Sequence, residues 1–270
     1  MEDNRSSVRK IKKFVNSQRI LLILIAMAII MSLLIENFAT VGNIMTIARQ
    51  VSVYGIIAVG MTFVIMTGGI DISVGSTVAL GGVVASMADL AGCPLIISIF
   101  IAILFGLAAG AINGFLIAYC KMLPFVATLG MLNVIRAASL IITKGSALYG
   151  MSDSFLKLSA GYLWGVIPYP VVIMLAVFLL GGILIKHFSL GRFFLAVGGN
   201  EESARLAGVN TRRVKLSAYV IAGGLTALSG VLLASRLGTA QPSTGSGYEQ
   251  VVIASVVIGG TSLLGGTGSM

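Results

Sequence analysis

Long apolar runs dominate this chain, and each is close to the length that one helix needs to cross a bilayer. A helix of about 20 apolar residues spans the hydrocarbon core. Hydrophobic residues make up 57% of the 270 residues and charged residues only 10%, which excludes an ordinary soluble domain. We therefore expect an all-α, polytopic membrane protein. The pattern predicts eight spans, at residues 20–36, 47–67, 72–92, 94–118, 124–143, 166–186, 215–236 and 248–264.

Lysines and arginines indicate how these spans are oriented. The formal net charge is +9, but the basic residues cluster at the ends of apolar runs without interleaved aromatic residues, which favours topology signals over a nucleic-acid site. With the N-terminus in the cytoplasm, thirteen of the eighteen basic residues fall on the inner side. We expect a basic cytoplasmic segment at 1–19, a transmembrane domain at 20–270, a cytoplasmic loop at 189–215 and an outer loop at 144–165.

The stretch GMTFVIMTGGIDISVGS, residues 60–76, places glycines and an aspartate inside an apolar region. Gly68 and Gly69 can end one helix, and Asp71 can accept hydrogen bonds from the free N–H groups that open the next. Two interpretations remain open. The stretch is either a helix cap at the cytoplasmic interface or the hinge of a broken helix at the edge of a translocation path.

Three polar residues lie deepest in the predicted spans, namely Asn113, Asn133 and Arg136. We predict that they line a pathway, because Asn133 and Arg136 are three residues apart and share a helix face, and an arginine at depth requires a partner or water. The alternatives are hydrogen bonding between helices for the asparagines and snorkelling of Arg136 toward the outer interface.

Residues typical of catalysis are missing from the sequence pattern. The acidic residues lie near the ends of spans or in loops, and the sequence has no phosphate-binding loop, no metal-spaced cluster and no paired nucleophile and base. We expect no catalytic residue, no metal and no cofactor. If the chain moves a solute uphill, the energy must come from another protein.

The cytoplasmic loop contains a compact helix signature. Asn200 can cap the helix, Glu201 and Glu202 suit its first turn, and Gly208 can end it. Such a helix is either a docking element or a solvated connector.

Three segments resemble the inner-membrane permease subunits of bacterial ABC importers for monosaccharides, the ribose, xylose, arabinose and galactoside group. They are GMTFVIMTGGIDISVGS at 60–76, PFVATLGMLNVIRA at 124–137 and a long segment from GGNEESARLAGVN at 199 to GGTGS at 269. The likeness covers essentially the whole chain. The segment GGIDISVG, which contains Gly68, Gly69, Asp71, Ser73 and Gly75, looks like the sugar type rather than the nucleoside or branched-chain amino acid type.

This resemblance implies a ten-helix permease in the bacterial inner membrane that works as a pair, either as two copies of this chain or with a different partner. It implies a separate ABC ATPase subunit inside and a periplasmic sugar-binding protein outside, with membrane lipid around it and no nucleic acid. Members of the family usually continue through two more spans, so a chain ending at Met270 is expected to be truncated. The alternatives are the permease of a related ABC importer for another small polar solute, such as a nucleoside or a branched-chain amino acid, and a self-contained carrier or channel. The residues that couple to the ATPase would be Glu201, Glu202, Ala204, Arg205 and Gly208.

Overall fold

A computed structural model describes residues 19–269 of the protein. The predicted basic segment at 1–19 therefore lies outside the described residues, apart from Arg19. The only sheet among the described residues is a hairpin of two antiparallel strands with two residues each. The elements are α1 (Arg19–Leu34), α2 (Val41–Met66), α3 (Val74–Leu90), α4 (Leu95–Ala118), α5 (Pro124–Ile142), α6 (Asp153–Ala160), β1 (Tyr162–Leu163), β2 (Ile167–Pro168), α7 (Tyr169–His187), α8 (Ser189–Gly199), α9 (Glu201–Leu206), α10 (Thr211–Leu237) and α11 (Tyr248–Ile258).

Each of the eight predicted spans overlaps one apolar helix. Within residues 19–269, α2, α4, α5, α7 and α10 are long and apolar enough to cross a membrane alone, whereas α1, α3 and α11 are shorter apolar helices. The structure thus confirms the all-α fold. Two of the short helices, α3 and α11, have a reason for their length that is given below.

The described chain divides into two compact units, the first ending at Ile47 and the second beginning at Ala48. In the first unit, α1 is apolar along its length and leaves Leu33 and Leu34 among its exposed side chains. The turn after α1 is closed by Asn43, whose Nδ2 donates to the Phe38 carbonyl at 2.8 Å. Exposed apolar side chains around a helix are the expected surface against lipid.

Helix α10 forms the centre of the second unit and is buried over most of its length. Helix α4 places Gly106, Gly110 and Gly114 in a row, one every four residues, against it. A Cβ atom at Gly114 would lie 2.9 Å from the Leu216 Cα, so the backbones approach too closely for any side chain. Because lipid provides no hydrophobic drive between helices, such close contact between small residues holds membrane helices together.

The predicted outer loop is largely ordered structure packed on the ends of α3 and α10. Both carboxylate oxygens of Asp89 accept hydrogen bonds at 2.7 Å from Ser152, one from its N–H and one from its hydroxyl. Ser159 donates to the Leu232 carbonyl at 2.7 Å, and Ser235 donates to the Phe155 carbonyl at 2.6 Å. These contacts show that α3 and α10 run in the same direction and end at the same side of the bundle.

Candidate functional site

The GGIDISVG segment joins α2 to α3 through a buried turn. Helix α2 ends at Met66 and Gly68 follows in the left-handed conformation with φ +77°. Asp71 is 2% exposed, and its Oδ1 accepts hydrogen bonds from the N–H of Ser73 at 2.9 Å and from the hydroxyl of Ser73 at 2.6 Å. Asp71 therefore binds Ser73, the N-cap residue of α3. The sequence predicts instead that Asp71 accepts hydrogen bonds from the first N–H groups of that helix.

Two other helices complete this turn. Asn113 of α4 donates from Nδ2 to the Ser73 hydroxyl at 2.8 Å and to Asp71 Oδ1 at 3.5 Å. Tyr219 of α10 donates to the Ile70 carbonyl at 3.2 Å. We call Asp71, Ser73, Asn113 and Tyr219 the Asp71 cluster. The Oδ1 atom of Asn113 is buried and has no hydrogen-bond partner among residues 19–269.

The position of the Asp71 cluster along α10 shows that α3 begins inside the bundle. Tyr219 is eight residues after the start of α10, about 12 Å along a helix that is about 40 Å long. Farther along, Gly230 of α10 lies against the backbone of Val78 and Gly82 in α3. Helix α3 is therefore short because the chain enters the bundle as the non-helical segment 67–73.

Helix α11 is short for the same reason. Gly238, with φ +65°, ends α10, and Ala240 pairs with Leu148 of the predicted outer loop. The chain then descends beside α3: a Cβ atom at Gly245 would lie 2.5 Å from the Gly75 carbonyl oxygen. A Cβ atom at Gly75 would in turn lie 2.5 Å from Glu249 Oε2. We call this meeting of the starts of α3 and α11 the Gly75 junction.

The Gly75 junction favours the second interpretation of the GGIDISVG segment, the hinge of a broken helix. The segment starts at Gly68, which is exposed, and reaches the buried Asp71. Residues 238–247, between α10 and α11, also run into the bundle as non-helical backbone, which is tolerated at membrane depth only where protein or water surrounds it.

Arg136 and Asn133 do not act together on an inward face. Arg136 is half-buried, and its Nη1 donates to the carbonyls of Pro242 and, at 2.8 Å, Thr244. Arg136 therefore binds the segment that joins α10 to α11 and does not snorkel toward the outer interface. Asn133 is exposed and donates to the Leu129 carbonyl of its own helix at 3.1 Å. Asn113 belongs to the Asp71 cluster, so the three residues predicted for a pathway lie in three different environments.

The loop predicted to be cytoplasmic has the local structure that the sequence predicts. Asn200 is the N-cap of α9 and accepts a hydrogen bond from the Ser203 N–H at 2.8 Å, and Gly208 follows the helix with φ +86°. Ala204 is buried, whereas Leu206 is 78% exposed. One side of α9 is therefore packed against the rest of the described chain, and the other side is exposed.

Two ion pairs set the charge of α9. Glu201 accepts from Lys215 Nζ of α10 at 2.5 Å, which ties α9 to the long helix. Glu202 accepts from Arg205 at 2.5 Å on the exposed face. The hydrogen bond from the Arg205 guanidinium lowers the pKa of the Glu202 carboxyl. The exposed face of α9 thus presents an acidic and a basic group beside Leu206.

Helix α8 connects α9 to the end of α2. The Phe194 ring of α8 lies 5.5 Å from the Phe63 ring of α2, centre to centre. The Gly266 N–H donates to the Met66 carbonyl at 3.0 Å, and a Cβ atom at Gly198 would lie 2.6 Å from that Gly266 nitrogen. The ends of α2 and α8 and the turn at 262–268 therefore meet directly beside Gly68. Sequence reasoning did not identify Gly198 or Gly266, although the glycine pairs in VGGN and LGGTG mark their positions.

Comparison with known proteins gives a consistent result over nearly the full chain. A family model described as the permease component of the branched-chain amino acid transport system matches residues 43–267. The ribose import permease protein RbsC of Haemophilus influenzae is 40% identical over 99% of this chain and 84% of its own length. RbsC of Escherichia coli is 41% identical over 95% of this chain and 81% of its own length.

The D-allose transport system permease protein AlsC of Escherichia coli is 40% identical over 90% of this chain and 75% of its own length. No solved structure matches the chain. Taken together with the all-α membrane fold, these similarities show that the chain belongs to the ABC importer permease family that this model describes, together with the permeases named for ribose and D-allose, and they confirm the resemblance predicted from the sequence.

Proposed function

We propose that this chain is the membrane-spanning permease subunit of an ATP-driven ABC importer that moves a monosaccharide from a periplasmic binding protein into the cytoplasm. The relatives named for ribose and D-allose support a sugar. The description of the family model names branched-chain amino acids, which makes them the competing substrate class. The observation that carries the transport role is the connection from the exposed helix α9 to the broken segment at Gly68.

The proposed orientation places α9 and the loop 189–215 in the cytoplasm and the outer loop 144–165 at the periplasmic surface. The basic segment at 1–19 would be cytoplasmic, and residues 20–270 would form the membrane domain. A separate ATPase subunit would bind the exposed face of α9, where Glu202, Arg205 and Leu206 are accessible. Glu201, Ala204 and Gly208 would hold α9 in place and end it. The periplasmic binding protein would deliver the sugar on the opposite side.

In this mechanism, movement of the ATPase displaces α9 and α8 as one piece. The packing of Phe194 on Phe63 and the junction at Gly198 transmit that displacement to the end of α2. Gly68 absorbs the change in backbone angles, because its left-handed conformation already marks the point where the helix is broken. ATP biases the equilibrium only if the ATPase binds one state of the permease more tightly than the other.

The two broken helices would form the moving part of the path. Asn113 holds the start of α3 through Ser73, and Arg136 holds the segment that leads into α11. Asn133 faces away from the described part of the chain, as a residue lining a path between two paired permeases would. Its amide can donate to and accept from sugar hydroxyls.

Uptake by proteoliposomes tests the proposal. The permease is reconstituted with its ATPase subunit and binding protein, and ATP-dependent uptake of labelled ribose is measured with allose and leucine as separate substrates. We expect uptake of a sugar and not of leucine. Uptake of leucine but of neither sugar would indicate an amino acid permease. Sugar flux without the ATPase would indicate a self-contained carrier.

Variants of α9 test coupling separately from substrate. We expect Glu202→Lys and Gly208→Pro to lower uptake at least tenfold while ATP hydrolysis continues, because the first reverses an exposed charge and the second cannot adopt a positive φ. Glu36→Lys is the control, since it makes the same charge change at an exposed residue outside α9. Unchanged uptake in both α9 variants, with normal membrane insertion, would refute the role of α9.

A further inference from the structure

A charged cavity lies between α9, the start of α10 and the turn that joins α4 to α5. Its volume is about 690 Å³, and charged side chains form much of its wall. Four cations and two carboxylates line it: Lys121, Arg205, Arg212, Lys215, Glu201 and Glu202.

Ion pairing leaves two of these cations available. Lys215 is paired with Glu201 and Arg205 with Glu202. Lys121 and Arg212 have no carboxylate partner within residues 19–269. The cavity therefore carries a formal excess of two positive charges, which favours an anionic occupant.

Lys121 is held in an unusual backbone conformation. Its φ is +56°, in the left-handed region that is unfavourable for a non-glycine residue. The turn is fixed on either side by Cys120 and Met122, whose N–H groups donate to the Phe115 and Leu116 carbonyls at 3.3 Å and 3.1 Å. The backbone thus places a lysine at the cavity wall where glycine or asparagine would be the less strained choice.

Arg212 connects the cavity to an apolar surface. Its guanidinium lies 5.9 Å from the centre of the Tyr119 ring, which stacks on the Phe115 ring at 5.4 Å. Phe115 is 53% exposed and Leu123, beside Lys121 in the same turn, is 71% exposed. We call Phe115, Tyr119 and Leu123 the apolar strip. A cationic cavity next to exposed apolar side chains matches the two parts of an anionic phospholipid.

We propose that this cavity binds the headgroup of an anionic phospholipid, with the phosphate between Lys121 and Arg212 and the acyl chains along the apolar strip. The proposal goes beyond the transport function, and uses it only to place the cavity at the inner leaflet. A bound headgroup would link the α4–α5 turn to α9. Lipid composition would then influence the position of the helix proposed to receive the ATPase.

Native mass spectrometry of the purified full chain tests the proposal. The protein is equilibrated in micelles that contain equal amounts of phosphatidylglycerol and phosphatidylcholine, and retained lipids are counted. We expect Lys121→Asn and Arg212→Gln each to weaken retention of phosphatidylglycerol about fivefold, and the double variant about 25-fold, from the usual contribution of one basic residue near a membrane surface. Asparagine tolerates the left-handed conformation, so Lys121→Asn preserves the turn.

Lys144→Asn is the matched control. Lys144 is also a lysine in the left-handed conformation, with φ +53°, but it is exposed in the turn after α5. Its replacement removes the same charge without touching the cavity, so retention should not change. Equal loss in the control would reduce the effect to net charge and overturn the proposal.

Two further outcomes would also overturn it. If inorganic phosphate at millimolar concentration displaces phosphatidylglycerol completely, the cavity binds a free anion and the apolar strip has no role. If the double variant retains phosphatidylglycerol but no longer captures the ATPase subunit, the cavity is a protein-docking surface. Since none of these measurements uses sugar uptake, failure here leaves the proposed transport function untouched.

Discussion

Replacing Gly75 by alanine should separate the starts of α3 and α11. The added methyl carbon would lie 2.5 Å from Glu249 Oε2 and closer still to the Gly245 carbonyl oxygen. Non-bonded heavy atoms in contact are normally about 3.5 Å apart, so one of the two partners must move by about 1 Å. The Glu249 side chain can rotate away, but Gly245 is backbone. It has φ +77° and lies against Val78, so it has no free space on that side.

The expected cost follows from this geometry. Inserting one carbon into a filled contact costs about 1–3 kcal/mol, and the gain in helix propensity is at most about 1 kcal/mol because Gly75 lies in the first turn of α3. We expect a net loss near 1–2 kcal/mol. This corresponds to about a 5- to 30-fold shift of the unfolding equilibrium.

Unfolding in mixed micelles of increasing sodium dodecyl sulfate content, followed by far-ultraviolet circular dichroism, measures this loss. Gly130→Ala is the control, since Gly130 lies in helix α5 with nothing within 4 Å of an added Cβ atom. That variant should gain about 0.5–1 kcal/mol. If Gly75→Ala is as stable as Gly130→Ala, the two broken helices are not in contact at Gly75, and the reasoning fails.

Three further changes test other contacts. Asn200→Ala removes the acceptor of the Ser203 N–H and should lower the stability of α9 by about 1 kcal/mol. Hydrogen exchange should become faster in α9 alone, and unchanged exchange would contradict the cap. Gly69→Ala should destabilise the protein by about 1–3 kcal/mol, because the added Cβ atom would lie 3.2 Å from Tyr219 Cζ and overlap the hydroxyl. Tyr219→Phe should restore part of this loss in a double-mutant cycle. Strict additivity of the two substitutions would argue against the contact. Arg136→Met leaves two carbonyls without their donor and should increase hydrogen exchange within 242–247; equal protection would show that Arg136 does not hold this segment.

Local patterns in the sequence account for the elements of this fold. Apolar run length predicts the position of the eight apolar helices found within residues 19–269, because crossing a bilayer requires about 20 residues regardless of the neighbouring helices. Capping chemistry predicts α9, since Asn200 and Gly208 act on backbone groups only a few residues away. The membrane class and the helical elements therefore follow from the sequence by itself.

The candidate site required the tertiary structure. Asn113 meets Ser73 across 40 positions, and Arg136 meets Thr244 across 108. Most of these helices are apolar on every side, so the pattern that marks the inner face of a soluble helix is absent and the sequence does not show which residues face each other. In lipid, the register between helices is set by where small residues let backbones touch, and that depends on the packed whole.

Counting spans also cannot show that α3 and α11 begin inside the bundle. Counting spans assigns every interruption to a membrane surface, because an isolated backbone cannot leave its polar groups unpaired in lipid. Here the helices around Gly75 and Gly245 shield that backbone, and Ser73, Asn113 and Arg136 supply hydrogen bonds to the breaks. The sequence by itself determined that the chain crosses the membrane and where its helices lie, whereas only the packed bundle decided that two of them begin within it.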